Sequence, residues 1–459
     1  MQSRAAGWLD ALTDSLQPGR VVTDPEILES HRRDEATMVD AGMPAALVRA
    51  ASTADVQAVL RVAHEHRVAV VPRGAGSGLA GGANAVDGCI VLSLAGMDKI
   101  LELDPHAMVA VVQPGVVNAE LAKAAREVGL FYPPDPASYE FSTLGGNIAT
   151  NAGGLCCVKY GVTRESVLGL EAVLADGSLL RTGTRTIKSV AGYDLTRLLV
   201  GSEGTLAVIT EATLRLRPRP RTPATLVAFF STLTDAGNAI AGIVERLTPS
   251  LLELMDRQTV RAVEAWKPMD LDTEAAAMLL ARSDTGAAES EEEIRQMASL
   301  CEAAGATLVI QGTSESEGEM LLAARRLAHG ALERLGATML DDVAVSVSRI
   351  PDLLDAIQQI AAAHEVTVGT FGHAGDGNMH PTIIFDPDDP ESEKRARRAF
   401  DAILTKSLEL GGTLSGEHGV GLLKHRYLEA QVGETALRVQ RAIKAALDPR
   451  GILNPGKVL

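Results

Sequence analysis

The sequence is poor in cysteine, in aromatic residues and in positive charge. Four cysteines occur in 459 residues, and no CxxC or CxxCH pattern is present. A disulfide framework, a structural zinc site of the cysteine type and c-type haem attachment are therefore unsupported. Cys156 and Cys157 are adjacent, which matches none of the usual iron–sulfur spacings. Aromatic residues make up 3% and the net charge is −16, which argues against nucleic-acid binding.

Long apolar runs are also missing, and no stretch approaches the roughly 18–20 residues of a membrane helix. Asp10 and Asp14 interrupt the apolar pattern at the N-terminus, which is atypical of a signal peptide. Together with the few cysteines, this predicts a reducing compartment, so we expect a cytoplasmic protein, either free or peripheral at a membrane. Apolar residues are abundant, at 46%, and the length fits two or three lobes.

Prolines mark one domain boundary. Pro218, Pro220 and Pro223 fall within a few residues of each other and predict a stiff, extended linker. Strand and helix patterns occur on both sides of this linker, for example a helix near 56–63 and a strand near 226–230. We therefore place the boundary after residue 217.

The first glycine-rich segment matches a dinucleotide motif only superficially. Gly76–Gly81 reads GxGxxG, but the Rossmann interpretation needs a helix directly after the glycines. Here residues 82–89 lead straight into a strand at 90–92, which disfavours a nicotinamide site. A loop this rich in glycine exposes its N–H groups and can hold an anion beside Arg73. A flexible hairpin loop is the alternative.

Two more segments are rich in glycine and small polar residues, at 142–154 and 201–210. Small residues let a flat ligand approach the main chain, and Asn and Thr side chains can pair with a polar heterocycle. Three such segments in one domain indicate one long ligand, with phosphates at one end and a heterocycle at the other.

The second half of the chain contains a histidine pattern. His373 closes one predicted strand and His380 opens the next, so both side chains can converge across the glycine turn. Glu417 and His418 follow between further glycines. Two histidines and a carboxylate leave an open position on a divalent ion, as in catalytic zinc sites. The alternative is an ordinary turn with surface histidines.

Four motifs together resemble a known family. They are PRGAGSGLAGG at 72–82, TLGGNIATNAGG at 143–154, KSVAGYDLTRLLVGSEGTLAVIT at 188–210 and NPGK at 454–457. In this order they resemble the FAD-linked oxidoreductases of the vanillyl-alcohol-oxidase type, in the D-2-hydroxyacid dehydrogenase branch. The resemblance runs from about residue 45 to the end of the sequence.

The resemblance implies an α+β fold with a two-lobed FAD-binding domain at 1–217. It further implies a substrate and metal-binding cap domain with an antiparallel sheet at 218–421, and a segment at 422–459 that returns to the first domain. FAD is expected to be held without a covalent bond. The implied FAD-binding residues are Arg73, Gly74, Gly76, Ser77, Gly78, Leu79, Asp135, Thr143, Gly145, Gly146, Asn147, Thr150, Gly153, Glu203, Gly204, Ile209 and Asn454.

For the second domain, the resemblance implies a zinc or manganese ion on His373, His380 and Glu417. The metal would bind the substrate carboxylate and 2-hydroxyl, and His418 would take the hydroxyl proton. Arg325 matches the position of an arginine that grips the substrate carboxylate. An exposed helix arginine is the alternative for this position.

The implied reaction is oxidation of a small D-2-hydroxy acid to the 2-oxo acid, with hydride passing from C2 to flavin N5. Leu340 stands where the hydroxyglutarate branch has a lysine for a second carboxylate, which favours D-lactate or glycolate. The alternatives are a D-2-hydroxyglutarate dehydrogenase, a flavin subunit of a glycolate oxidase complex, and, more remotely, a metal-dependent hydrolase. A quinone, an electron-transfer flavoprotein or an iron–sulfur subunit would accept the electrons.

Overall fold

A computed structural model describes residues 2–36, 38–221, 223–312 and 315–459. The helices are α1 (Gln2–Asp14), α2 (Pro25–Ser30), α3 (Thr53–His66), α4 (Asn118–Glu127), α5 (Leu144–Thr150), α6 (Cys157–Tyr160), α7 (Thr163–Ser166), α8 (Leu195–Leu199), α9 (Leu233–Arg246), α10 (Arg257–Trp266), α11 (Ala287–Ala303), α12 (Glu315–Arg326), α13 (Ala328–Glu333), α14 (Ile350–His364), α15 (Pro390–Glu409) and α16 (Leu428–Leu447).

The strands are β1 (Val21–Val22), β2 (Ala46–Arg49), β3 (Val70–Arg73), β4 (Ile90–Ser93), β5 (Ile100–Asp104), β6 (Val109–Val112), β7 (Leu130–Phe131), β8 (Val167–Val173), β9 (Leu179–Gly183), β10 (Val208–Arg215), β11 (Arg217–Pro218), β12 (Ala224–Phe230), β13 (Leu251–Asp256), β14 (Ala277–Ser283), β15 (Ala306–Gly312), β16 (Ala337–Leu340), β17 (Val343–Ala344), β18 (Thr367–His373) and β19 (Asn378–Phe385).

These elements form two compact units, each built from segments that are distant in sequence. Unit 1 consists of Met1–Gly153, Gly161–Arg219 and Glu417–Leu459. Unit 2 consists of Gly154–Tyr160 and Pro220–Gly416. The short segment 154–160 therefore belongs to unit 2, although its neighbours on both sides along the chain belong to unit 1.

The first sheet of unit 1 has the order β1-β2-β4-β3, in which β2, β4 and β3 are parallel. Helix α3 begins where the Ser52 hydroxyl accepts the N–H of Asp55 at 3.2 Å, which satisfies a donor of the first turn. Its buried positions, Val56, Val59 and Leu60, recur at helical spacing and pack in one core with Val70 and Ile90 of the sheet.

The second sheet of unit 1 is antiparallel, in the order β5-β6-β10-β8-β9. Leu121 of α4 and Leu144 and Ile148 of α5 are fully buried in its core.

Residues near the C-terminus pair with the first sheet of unit 1. Val70 donates its N–H to Ile452 at 2.8 Å and accepts the N–H of Asn454 at 2.8 Å, so this segment continues the sheet beyond β3.

Unit 2 is built on an eight-stranded antiparallel sheet in the order β15-β12-β14-β13-β18-β19-β16, with β17 also paired to β19. Strands β12 and β14 are buried almost throughout. Val260 and Val263 of α10 share a core with Leu322 of α12 and Leu332 of α13. The antiparallel sheet predicted for this part of the chain is confirmed, as is the α+β class.

Two local features differ from the sequence-based expectation. The segment 142–154 is not simply an open, amide-rich loop, because α5 forms over seven of its residues. A Cβ at Gly145 would overlap Pro114, so the small residue lets this helix approach the preceding chain. Strands β3 and β4 pair in parallel although residues 74–89 contain no helix.

Over the residues described, every helix is too short or too polar to cross a bilayer.

Candidate functional site

The first candidate site is the glycine loop that follows β3 in unit 1. Arg73 ends the strand and is 9% exposed, and its Nη1 donates to the Arg33 carbonyl at 2.7 Å. Burial lowers the pKa of this guanidinium, while the nearby Asp34 and Glu35 carboxylates act in the opposite direction. A Cβ at Gly76 would collide with the guanidinium, so glycine is what lets the loop pass so close to the charge.

Asp34 orders the opposite side of the same loop. Its carboxylate accepts the N–H of Ala36 at 3.0 Å and that of Ala83 at 3.2 Å. Burial raises its pKa, whereas these two hydrogen bonds and Arg73 lower it. The loop between Arg73 and Ala83 includes the half-buried residues Gly74, Ser77, Gly78 and Leu79. A loop that binds an anion through its main-chain N–H groups needs such a sheltered but accessible position.

A second group of polar atoms lies at the start of α5. The side-chain atoms Ser142 Oγ, Thr143 Oγ1 and Asn147 Nδ2 are buried and find no hydrogen-bond partner among the described residues. Unpartnered buried polar atoms are costly, so this group of atoms fits a site that binds the polar part of a ligand. The Thr143 hydroxyl lies where a Cβ of Gly74 would stand, which joins this group to the glycine loop. Unit 1 thus fits a long ligand with an anionic and a heterocyclic end.

Other predicted FAD-binding residues have structural partners. The Thr150 hydroxyl donates to the Gly146 carbonyl at 3.3 Å, and the Ile209 side chain lies in the core of the second sheet. Asp135 follows Pro134, whose carbonyl accepts Asn118 Nδ2 at 3.0 Å. Contacts of these side chains with FAD stay predictions.

Glu203 has a distinct position within unit 1. Its two carboxylate oxygens accept the N–H groups of Val420 at 2.7 Å and Gly421 at 2.9 Å. Asn454 Nδ2 donates to the Glu203 carbonyl at 2.7 Å and to the Gly82 carbonyl at 2.8 Å. Burial raises the pKa of Glu203 to about 7, although both main-chain hydrogen bonds lower it. The carboxyl group therefore fastens residues 420–421 to the glycine-rich segments, and Gly204, next along the chain, packs against Pro72.

The second candidate site lies on the sheet of unit 2. His373 ends β18 and His380 is the third residue of β19, and the structure brings their rings to a centroid separation of 5.2 Å with an angle of 86°. Register explains this approach, because His380 pairs with Phe371, two residues before His373 on the same face. The rings are 7% and 3% exposed, so the alternative of surface histidines is wrong.

A buried ion pair stands beside these rings. Glu253 of β13 lies directly opposite His373 in the sheet register and is 1% exposed. Its Oε1 contacts His373 Nδ1 at 2.7 Å and its Oε2 accepts Arg325 Nε–H at 2.7 Å. The Arg325 guanidinium also lies 4.7 Å from the centroid of the Phe371 ring. Arg325 is 6% exposed, so the alternative of an exposed helix arginine is wrong for it.

A second buried carboxylate faces the other histidine. Asp342 Oδ1 is 3.7 Å from His380 Nδ1 and accepts Asn378 Nδ2 at 2.7 Å. Its Oδ2 accepts the hydroxyl of Ser415 at 2.8 Å. The adjacent Asp341 is also fully buried. Acidic side chains therefore dominate this edge of the cluster.

Glu417 and His418 follow unit 2 directly along the chain and belong to unit 1. Both are half-buried, and His418 Nε2 lies 4.0 Å from Glu417 Oε1. A Cβ at Gly153 would overlap the Glu417 carboxylate, so this predicted FAD-site glycine makes room for an acid. Their roles as third metal ligand and as base stay predictions.

The cluster in unit 2 suits a divalent cation. Neutral imidazole is the commonest metal ligand in proteins, and a ligating histidine usually donates its other N–H to a carboxylate. His373 has this arrangement, with Glu253 at Nδ1 and Nε2 on the other side of the ring.

Sequence reasoning missed Glu253 and the approach of Asp342 to His380. A signal for Glu253 was present, since a lone acid inside the apolar strand Leu251–Met255 must find a buried partner. The pairing of β13 with β18 selects that partner, and residues more than a hundred positions apart give no local sign of it.

Comparison with known proteins identifies the family of this chain. A model of FAD binding domains matches residues 44–183, and a model described as FAD linked oxidases, C-terminal domain, matches residues 219–458. Glycolate oxidase subunit GlcD of Bacillus subtilis is 43% identical and covers 92% of this chain and 91% of that relative. D-lactate dehydrogenase of Anaerostipes hadrus is 37% identical, covering 96% and 95%.

Solved structures show the same fold at lower identity. p-Cresol methylhydroxylase with substrate bound aligns with a TM-score of 0.83 at 18% identity, covering 100% of this chain and 97% of that one. 4-Ethylphenol oxidase from Gulosibacter chungangensis aligns with a TM-score of 0.80 at 19% identity, covering 100% and 97%. The chain belongs to the FAD-linked oxidases, with the p-cresol methylhydroxylase and vanillyl-alcohol-oxidase type of fold, and it is an oxidoreductase with FAD as its cofactor.

Proposed function

We propose that this chain is a dehydrogenase that oxidises a small D-2-hydroxy acid, D-lactate or glycolate, to the 2-oxo acid. The observation that carries the proposal is the buried pair His373 and His380 on one sheet of a FAD-linked oxidase, with the buried Arg325 of α12 nearby. A buried guanidinium is suited to the carboxylate of a small substrate. Imidazoles that hold a metal ion are suited to a second oxygen atom of the same substrate, its hydroxyl. The relatives named for glycolate and D-lactate support the same substrate class.

FAD, held without a covalent bond, supplies the acceptor for the hydride from substrate C2. A zinc or manganese ion on His373 and His380, with Glu417 as the third ligand that the family resemblance implies, supplies charge that lowers the pKa of the 2-hydroxyl. Arg325 holds the substrate carboxylate through its Nη atoms, since its Nε is committed to Glu253. His418 accepts the hydroxyl proton. The substrate thereby loses one hydride and one proton, and the carbonyl forms.

A monocarboxylate fits the cluster better than 2-hydroxyglutarate. Asp341 and Asp342 are fully buried next to Leu340, so a second substrate carboxylate would meet further acidic side chains there instead of a cation. A substrate panel read by anaerobic flavin reduction tests this preference. Faster reduction by D-2-hydroxyglutarate than by D-lactate and glycolate would contradict it.

The electrons leave for an external acceptor, such as a quinone, an electron-transfer flavoprotein or an iron–sulfur subunit, and we propose a cytoplasmic location. A flavin subunit of a glycolate oxidase complex is the second candidate, because a glycolate oxidase subunit is among the relatives. Dye-linked turnover by the isolated chain would argue against dependence on a partner.

His418→Ala tests the proposed base. The variant should bind FAD normally but reduce it with substrate at least about 100-fold more slowly, as expected for the loss of a general base. Stopped-flow absorbance under anaerobic conditions measures the rate, and His425→Ala, an exposed histidine in the same unit, is the matched control. Reduction at the wild-type rate in His418→Ala would remove His418 from this role.

A further inference from the structure

The carboxylate of Glu253 contacts two functional side chains of unit 2 at the same time. Its Oε1 lies 2.7 Å from His373 Nδ1, and its Oε2 accepts from Arg325 Nε at 2.7 Å. The group is 1% exposed, so water does not compete for either oxygen. Three neighbouring side chains thus form one chain of hydrogen bonds, from arginine through glutamate to histidine.

We propose that Glu253 is a positioning residue that fixes the tautomer of His373 and thereby tunes the metal affinity of the site. This inference rests on the proposed function, in which His373 binds a divalent ion. A carboxylate can only accept, so His373 must carry its proton on Nδ1. The lone pair of a neutral ring then lies on Nε2, the nitrogen that faces away from Glu253.

Arg325 determines which atom of the side chain at position 253 faces it and which atom faces His373. A guanidinium has no acceptor, so whatever group faces its Nε must accept. With glutamate both oxygens accept, and both neighbours are satisfied. With glutamine at this position, the amide oxygen must turn to Arg325 and the NH₂ group must face His373.

Glu253→Gln therefore forces the wrong tautomer without changing the shape of the site. The NH₂ group donates to Nδ1, so the ring proton moves to Nε2 and blocks the nitrogen that would bind metal. The orientation of the amide depends on Arg325 alone. Arg325→Met in the same chain releases the amide, which can then present its oxygen to His373 and restore the Nδ1–H tautomer.

The experiment measures Zn²⁺ binding to the purified FAD-loaded protein by competition with a chromophoric chelator. We expect Glu253→Gln to weaken Zn²⁺ binding about 10–100-fold, the usual effect of removing a partner of a ligating histidine. The double variant with Arg325→Met should bind Zn²⁺ within about 3-fold of Arg325→Met alone. Glu264→Gln is the matched control, because Glu264 accepts main-chain N–H groups of the same unit, and this variant should bind Zn²⁺ as the wild type does.

Wild-type affinity in Glu253→Gln, or no recovery in the double variant, would overturn the proposal. If the wild type itself takes up neither zinc nor manganese, the metal part of the proposed function fails, which is a separate result. A direct measurement needs no variant at Glu253. Nitrogen-15 spectra of histidine-labelled, metal-free protein should show His373, assigned through its loss in His373→Gln, as the Nδ1–H tautomer; an Nε2–H tautomer would overturn the proposal.

Discussion

The buried carboxyl group of Glu203 makes the stability of unit 1 depend on pH. Burial raises its pKa from the ordinary 4.5 to about 7, so the folded protein retains a proton that the unfolded chain has lost between these two values. The unfolding free energy therefore decreases as pH rises from about 4.5 to 7 and then levels off. A shift of this size corresponds to about 3 kcal/mol, at roughly 1.4 kcal/mol for each pKa unit.

Glu203→Gln should remove this dependence. Below about pH 4.5 both side chains are neutral, so the two proteins should differ by an amount that does not change with pH. This constant difference arises because the glutamine NH₂ group cannot accept the main-chain N–H that one Glu203 oxygen accepts. Near pH 8 the wild type must hold a buried charge. The unfolding free energy of Glu203→Gln minus that of the wild type should therefore be about 3 kcal/mol larger at pH 8 than at low pH. The comparison cancels the titration of shared groups that do not interact with Glu203. Asp34 is the exception, because its charge raises the Glu203 pKa.

Urea unfolding at saturating FAD, followed by the fluorescence of released flavin, measures the free energy for unit 1. The pH series runs from 4.5 to 8, with Glu120→Gln, an exposed acid of α4, as the control. A difference between wild type and Glu203→Gln that stays constant to within 1 kcal/mol across the series would refute the reasoning. It would mean that the Val420 and Gly421 hydrogen bonds keep the carboxylate ionised throughout.

Two further predictions concern the glycine loop and the segment 154–160. Gly74→Ala should weaken FAD binding about 10-fold or more, because its Cβ would overlap the Thr143 hydroxyl. In a Thr143→Ala background the same change should reduce FAD affinity clearly less. FAD titration by fluorescence quenching measures both affinities. Asp284→Ala should destabilise unit 2 by about 1–3 kcal/mol, because this acid accepts both the Lys159 ammonium and, at 2.5 Å, the Tyr160 hydroxyl. Denaturant unfolding measures that loss, and wild-type stability in Asp284→Ala would show that the two contacts contribute nothing.

Local patterns predicted the elements that depend on local physics. The apolar spacing of Val56, Val59 and Leu60 predicted α3, and the glycine turn at 375–377 predicted the strands that bring His373 near His380. In this turn Gly377 has a φ of 77° and a Cβ there would overlap the Val345 carbonyl, so the sequence signal has a steric cause.

Pairings between distant residues were beyond the sequence. Nothing near Glu253 says that β13 lies beside β18, and nothing near residue 203 says that its carboxylate meets residues 420–421. The helix α5 was also missed, because its two glycines lower helix propensity while contacts with Pro114 and Val116 stabilise it. The FAD family itself was recognisable because its motifs lie in short contiguous runs.

The strand partner of Val70 has a consequence for how this protein is made. Residues 452–454 complete the sheet edge next to β3, and Asn454 reaches back across 372 positions to the Gly82 carbonyl. During synthesis, β3 therefore leaves the ribosome long before its neighbour exists, while the large segment 220–416 of unit 2 can fold in between. The unpaired N–H and C=O groups of an exposed strand edge can hydrogen-bond to other chains and cause aggregation. We expect unit 1 to be the part of the nascent protein that chaperones must protect.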